Sequence, residues 1–328
     1  MGTTFKCIRM GMLCMVVCAM VVLQVDAQKI IYVKPGSNGD GSCWQKAFSH
    51  LQTALYNARA GTQIWVAAGT YHPTEGADRT VSFIIPAGVK VFGGFNGTEE
   101  KLEQRRPDRY PSVLSGDIGG PGREDNSYNI VLFENAGPDT WLDGFTLTGG
   151  FANGEGGTPH GKGGAIYNDG RQGRSSPKIR YCIFTKNFAR DGGAVYNDGA
   201  YGQSNPLFEN CIFSENEAGL DGGAVFNDSR NGESNPVFRG CTFRRNLGTY
   251  GGAICHAADK TACTLTLENC SFIENASYLR GGGVFTMAGA EKCAVEMADN
   301  FFKNNYPDDM DTAWLTAEAR SIAWRIKE

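Results

Sequence analysis

The 328 residues include only 12 prolines and four histidines, and no apolar run beyond Leu23 approaches the ~20 residues a bilayer crossing needs. So few prolines exclude a collagen-like or proline-rich chain, although 44 glycines are roughly twice average usage. A large excess of either charge is missing too. Lys plus Arg number 31 against 35 Asp plus Glu, and no basic stripe exists to contact phosphates. Nucleic acid is therefore not an expected partner. Apolar residues make up 41% and charged residues 20%, enough core and too little charge for a disordered chain.

The one long apolar run, Met10 to Leu23, follows Lys6 and Arg9 and precedes Val25-Asp26-Ala27. A basic start, an apolar stretch and a small residue at the exit predict a secretory signal peptide over 1–27, cut after Ala27. Losing Lys6, Arg9 and Asp26 takes the formal charge from −4 to −5. The expected product is an exported protein with no transmembrane segment in its mature chain, placed outside the cell or at the cell envelope or outer-membrane surface.

A repeat governs the rest. Gly163-Gly164-Ala165-Ile166-Tyr167-Asn168-Asp169 returns from Gly192 and Gly222, shortens at Gly251-Gly252-Ala253-Ile254, and wears further at Gly281-Gly282-Gly283-Val284. The steps are 29, 30, 29 and 30 residues. A second motif keeps step with it: Cys182/Phe184/Asn187, Cys211/Phe213/Asn216, Cys241/Phe243/Asn246, Cys270/Phe272/Asn275 and Phe302/Asn305. Each unit holds three short alternating segments between Gly, Asn, Asp and Ser clusters, for example Gly193 to Asn197, Pro206 to Glu209 and Cys211 to Ser214. This predicts an all-β solenoid with three strands per coil, in which equivalent residues stack at the ~4.8 Å strand spacing.

The columns support that register. Pro177/Pro206/Pro236/Leu265/Val295, Ile179/Phe208/Phe238/Leu267/Met297 and the Phe184 column are apolar throughout and predict inward stacks. Arg180/Glu209/Arg239/Glu268 and Lys186/Glu215/Arg245/Glu274 alternate in sign at every coil, as solvated ion pairs that hold register. Strand-like runs from Ile64 to Thr148 lack a tidy period and add about three irregular coils, so the solenoid should cover 63–306. Trp44, Ala47, Phe48, Leu51, Ala54, Leu55 and Ala58 recur at helical spacing, which predicts a capping helix within an N-terminal segment 28–62. Leu315, Ala319, Ile322 and Ile326 do the same in a tail over 307–328, a second candidate cap reaching from Thr312 to Lys327.

Gly-Gly-Ala-Ile/Val followed by Phe-x-x-Asn resembles the repeats of chlamydial polymorphic outer-membrane proteins. Ile31-Tyr32-Val33, Gly36, Trp44, Leu51-Gln52, Ala67-Ala68-Gly69-Thr70-Tyr71, Val91-Phe92-Gly93-Gly94-Phe95 and Leu114-Ser115-Gly116-Asp117 look like the N-terminal part of exported bacterial pectin-lyase-like repeat proteins. The resemblance spans roughly 30 to 305 and implies a single-stranded right-handed parallel β-helix. It does not select a function, since lyases, glycosidases and adhesive domains share that scaffold.

Candidate ligand-binding residues are Asp169, Asp198 and Asp228, one per coil, which can bind a ligand or simply cap the turn that follows each strand. Tyr167 and Tyr196 head an aromatic column (with Phe226, Cys255 and Phe285) that is a sugar platform if exposed and core if buried. The neighbouring aliphatic column Ile166/Val195/Val225/Ile254/Val284 must face the other way, and is the better candidate for the interior. Asn168/Asn197/Asn227/His256/Thr286 reads as an internal hydrogen-bonded ladder. The loop from Asp117 to Asn126, with Asp125, is the candidate metal site; calcium is the only cofactor it suggests, against plain turn chemistry. Catalytic residues cannot be named: no Ser/His/Asp set, phosphate loop or His-rich spacing occurs.

Eight cysteines follow the leader. The Cys182 column has parallel Cβ vectors at ~4.8 Å, wider than a disulfide takes, and predicts a reduced buried stack. Cys263 and Cys293, one repeat apart in the column of Ser175, Ser204 and Ser234, are the expected disulfide, with Cys255–Cys263 as the rival pairing.

Two functions stay open. The first is a non-catalytic, adhesin-like module that binds polysaccharide or another cell-surface ligand. The second is a polysaccharide lyase or glycoside hydrolase acting on an acidic polysaccharide. An evenly ribbed surface favours the first, and a single cleft with non-repeating Asp, Arg or Lys favours the second.

Overall fold

The computed structural model describes residues 29–258, 263–288 and 293–314. The expected signal peptide and most of the candidate tail helix lie outside the described residues. Among the described residues the strands form four sheets in which every pairing is parallel: one of nine strands, two of eight and one of five. Sheet 1 runs from Ile30–Val33 to Cys293–Ala298, sheet 2 from Gly69–Tyr71 to Phe301–Lys303, and sheet 3 from Phe83–Ile85 to Met310–Trp314. Each coil visits sheet 3, sheet 1 and sheet 2 in turn.

Sheet 4 corrects the expectation of three strands per coil. It consists of Phe151–Ala152, Phe188–Ala189, Glu217–Ala218, Leu247–Tyr250 and Ala276–Arg280. Its first three strands have two residues each, too few to show a period-2 pattern in sequence.

The expected register is observed. Phe184 pairs with Phe213, Phe208 with Phe238 and Asp198 with Asp228. The Phe184 column stacks ring on ring at 4.6–4.8 Å from Phe184 to Phe302. Arg180–Glu209, Glu209–Arg239 and Arg239–Glu268 form consecutive ion pairs at 3.0, 3.1 and 2.6 Å. In each Gly-Gly-Ala motif the first glycine needs a positive φ, as at Gly192 (φ 64°). The second needs the absence of a side chain, because a Cβ at Gly193 would meet the carbonyls of Gly223 and Glu217.

Asn187 begins an interior ladder that was visible only as a repeated letter. Its side-chain amide donates to Asn216 Oδ1 at 3.0 Å, and the chain of bonds continues to Asn246, Asn275 and Asn305. Each Oδ1 also accepts the backbone N–H of the preceding asparagine. A second ladder joins Asn168, Asn197 and Asn227 but stops before His256, whose Nε2 lies against Cys263 Sγ, so the predicted column is bonded only in its first three members. Cys182, Cys211, Cys241 and Cys270 are buried free thiols that donate to main-chain carbonyls.

Both ends differ from expectation. The expected N-terminal helix is shorter: Trp44–Lys46 is a 3-10 turn and the α-helix is Leu51–Asn57. Trp44 leaves that face to pack with Trp65, Phe92 and Phe95 outside the main core, its indole N–H donating to Glu99 O. Leu51 and Leu55 do join the core with Ile64 and Val66, and Phe48 packs against it half-buried. Ile30–Val33 is already a strand of sheet 1, so the solenoid starts inside the expected cap. At the other end Thr312, Ala313 and Trp314 are not helical. They continue sheet 3 by pairing with Thr286, Met287 and Ala288.

Candidate functional site

The two readings of the Tyr167 column reconcile in sheet 3. Ile166, Val195, Val225, Ile254 and Val284 face inward and join the main core. One residue later Tyr167, Tyr196, Phe226, Cys255 and Phe285 face the other way and form a separate buried cluster. Asp169, Asp198 and Asp228, two residues beyond the tyrosines' column, share that outer face. Turns and loops of neighbouring coils cover it.

The cover encloses a cavity of about 390 Å³, lined among others by Lys162, Arg171, Tyr196, Asp198, Tyr201 and Arg230. Asp198 accepts three side chains or chain atoms: Tyr167 Oη at 2.8 Å and Lys162 Nζ at 3.1 Å on Oδ2, and the Ala200 N–H at 3.3 Å on Oδ1. Asp228 accepts Tyr196 Oη at 2.7 Å and a two-pronged Arg230 guanidinium, plus the Arg230 N–H. Both carboxylates are 0% exposed. Asp169 holds Arg171 in the same two-pronged way and caps its turn through the Arg171 N–H. Each aspartate thus caps the turn after its strand, as the simpler reading had it, and also anchors a cation or phenol.

The electrostatics separate the two buried acids. Burial, with Asp228 nearby, pushes the Asp198 carboxyl above its ordinary range despite Lys162. Burial also opposes ionisation of Asp228, but the Arg230 guanidinium overcomes it and holds that carboxyl below its ordinary range. Burial raises the phenols of Tyr167 and Tyr196.

Three stacked turns make the mouth. Gly170–Gly173, Gly199–Gly202 and Ser229–Gly232 each close with a backbone hydrogen bond, and the third residue of each (Gln172, Tyr201, Asn231) has a positive φ. The second residues are Arg171, Ala200 and Arg230. Two coils, about 9.6 Å, therefore separate the two arginine positions, with an alanine between them. Tyr201 stands over this slot with 68% of its surface exposed.

Of the sequence candidates, Asp198 and Tyr196 line the cavity, Asp169 and Asp228 hold its arginines, and Tyr167 supports Asp198 from behind. Lys162, Arg171, Tyr201 and Arg230 were missed. For Lys162 the signal available was its singularity, since its place is taken one coil on by Asp191, its bridge partner. Asp117 is exposed and Asp125 accepts the Gly120 N–H. Among the described residues no three His, Cys, Asp or Glu side chains converge as a metal set. Among them, too, no helix is long and apolar enough to cross a membrane. Cys263 lies directly opposite Cys293 in sheet 1, as the columns required, but the Cys293 side chain is outside the described residues.

Parallel sheets in register, stacked columns and an interior asparagine ladder define a right-handed parallel β-helix repeat protein. Residues 160–310 match the family model described as a right handed beta helix region. Among solved structures, the chain is similar to a pectin methylesterase from carrot at 10% identity, with 89% of each chain covered and a TM-score of 0.42. It is also similar to the deglycosylated pectin methylesterase of Aspergillus niger, at 12% identity over 89% of this chain and 91% of that one, with a TM-score of 0.35. At such identities neither likeness extends to an activity. No curated protein matches the chain.

Proposed function

We propose that this is an exported or cell-surface β-helix protein that binds glycans without cleaving them, seating a sugar in the slot between Arg171 and Arg230. The observation that carries this reading is the complete burial of Asp198 and Asp228. An acid or base must reach the proton it transfers, whereas these carboxylates are 0% exposed and occupied by phenols, cations and turn N–H groups. What a ligand can touch includes the edge of two guanidinium groups, 38% and 34% exposed, and the Tyr201 ring. Fixed N–H forks and a ring platform suit sugar hydroxyls and the apolar face of a pyranose.

A specific observation favours the enzyme as second reading. The cavity breaks the even ribbing with Lys162, which has no counterpart in the next coil, and Asp198 on its wall and Asp228 behind Arg230 are driven apart in acidity as in acid–base pairs. A polysaccharide lyase or glycoside hydrolase acting on an acidic polymer would use that pair.

A glycan array and a lyase-absorbance screen of the chain from Gln28 onward separate the two. Binding is expected, weakened at least tenfold by Tyr201→Asn, a residue that the same turn position already carries at Asn231. New double bonds or reducing ends released from any polymer would overturn the reading.

A further inference from the structure

A second groove, of about 540 Å³, lies on another side of the solenoid, between the loop Leu102–Pro111 and the outer face of sheet 2. Its floor includes Thr146, Ile183 and Ile212, and its corner is Tyr181. Tyr181 opens the turn between sheets 1 and 2. Its column reads Tyr181, Asn210, Gly240, Asn269 and Asp299, every member at a positive φ between 49° and 63°. Asparagine, glycine and aspartate tolerate that backbone, whereas a bulky aromatic residue there is an outlier. Strain of this kind gathers at ligand sites. Tyr201 is the other tyrosine at a positive φ among the described residues, and it too stands exposed at a cavity mouth.

The surroundings make Tyr181 a platform. Its ring is 47% exposed, with the Arg180 guanidinium 5.4 Å from the centroid. Ile183, 38% exposed, continues the apolar surface. The opposite wall is anchored by Arg105, whose guanidinium bonds Asp143 Oδ1 at 2.6 Å and the Gly93 and Asp143 carbonyls. Burial opposes ionisation of Asp143, yet the pair is nearly sealed from solvent, so the wall is held before any ligand arrives. Arg105 is consumed by that pair and Arg106 by Asp108. The cation that lines the groove, Arg105, is thus already engaged, and the lining offers an amide at Asn210, a hydroxyl at Thr146 and a carboxylate at Glu103.

We infer that this groove is a second saccharide site, for an uncharged sugar ring stacked on Tyr181, with Ile183 and Ile212 under its C–H face and Asn210, Thr146 and Glu103 for its hydroxyls. The inference rests on the glycan-binding reading and extends it to a second site on the same solenoid.

Isothermal titration with neutral hexasaccharides of glucose, mannose, xylose and N-acetylglucosamine tests it. At least one is expected to bind, with its affinity reduced tenfold or more by Tyr181→Asn and unchanged by Tyr201→Asn. Asn is already held in this backbone at Asn210 and Asn269, so the variant keeps the fold, and an unchanged urea midpoint verifies that. Neutral binding that Tyr201→Asn abolishes and Tyr181→Asn leaves intact would overturn the second site while upholding the first. No binding of neutral sugars, with acidic ones bound on the array, also overturns it. No binding of any glycan overturns both readings.

Discussion

The hydroxyl of Tyr196 donates to the carboxylate of Asp228 in the next coil at 2.7 Å, as that of Tyr167 does to Asp198 at 2.8 Å. One coil further the same two places hold Phe226 and Ala257, so the donor and the acceptor disappear together. A buried carboxylate needs its donors, and a buried phenol needs its acceptor.

Tyr196→Phe should therefore cost about 1–3 kcal/mol, the usual penalty for leaving a buried charged group short of a partner. Phe226→Tyr should destabilise as well, because Ala257 offers its hydroxyl no side-chain acceptor. Urea denaturation of both variants checks this; a neutral Tyr196→Phe would show that Arg230 alone satisfies Asp228.

Alkaline pH should loosen the fold earlier than phenol ionisation predicts. Burial pushes the Cys182 thiol up to about 12 and raises those of Cys211 and Cys241; Cys270 is raised first by its contact with Cys241 and then by burial. A group whose folded pKa is raised contributes stability in full below its unfolded value, and that stability is lost as pH rises toward the folded one. Unfolded thiols ionise near 8.5, so Cys182 alone should lose about 1.4 kcal/mol one pH unit above that, with the other three acting in the same direction. Unfolding free energies at neutral pH and at pH 9.5, under reducing conditions, should differ accordingly. Equal values would mean the thiols are not protected.

Leu51→Asp should uncap the first coil. Leu51 and Leu55 close the core over Ile64 and Val66, and burying such a side chain contributes about 1.5–3 kcal/mol. Exposing the end also frees parallel strand edges. Light scattering should detect association of the variant. A monomer of unchanged stability would remove the helix from the role of cap.

A Cys263–Cys293 disulfide remains our expectation for the oxidised protein. The two positions pair directly in sheet 1, and Cys263 Sγ lies 3.1 Å from His256 Nε2. Closing a loop of about 30 residues would add on the order of 3 kcal/mol. Non-reducing peptide mapping decides: a Cys255–Cys263 bridge, or free thiols at both positions, excludes it.

Period and register were legible in the sequence because a parallel solenoid stacks each residue on its equivalent. Phe on Phe, Arg on Glu and Asn on Asn are selected across the ~4.8 Å spacing and reappear as columns 29 or 30 residues apart. The acidic and aromatic candidates came from the same columns. Singular residues carry no such signal. That Lys162 reaches Asp198 36 residues away, that Ala200 opens a gap between Arg171 and Arg230, and that Tyr181 and Tyr201 stand exposed depend on how turns from several coils fold over one face. The side of sheet 3 on which the tyrosines lie was open for a related reason. Alternation puts neighbouring columns on opposite faces without saying which face is inside, and here loops bury the outer one as well. Only the tertiary structure decided it, because burial under a loop and burial in a core leave the same apolar trace in a sequence.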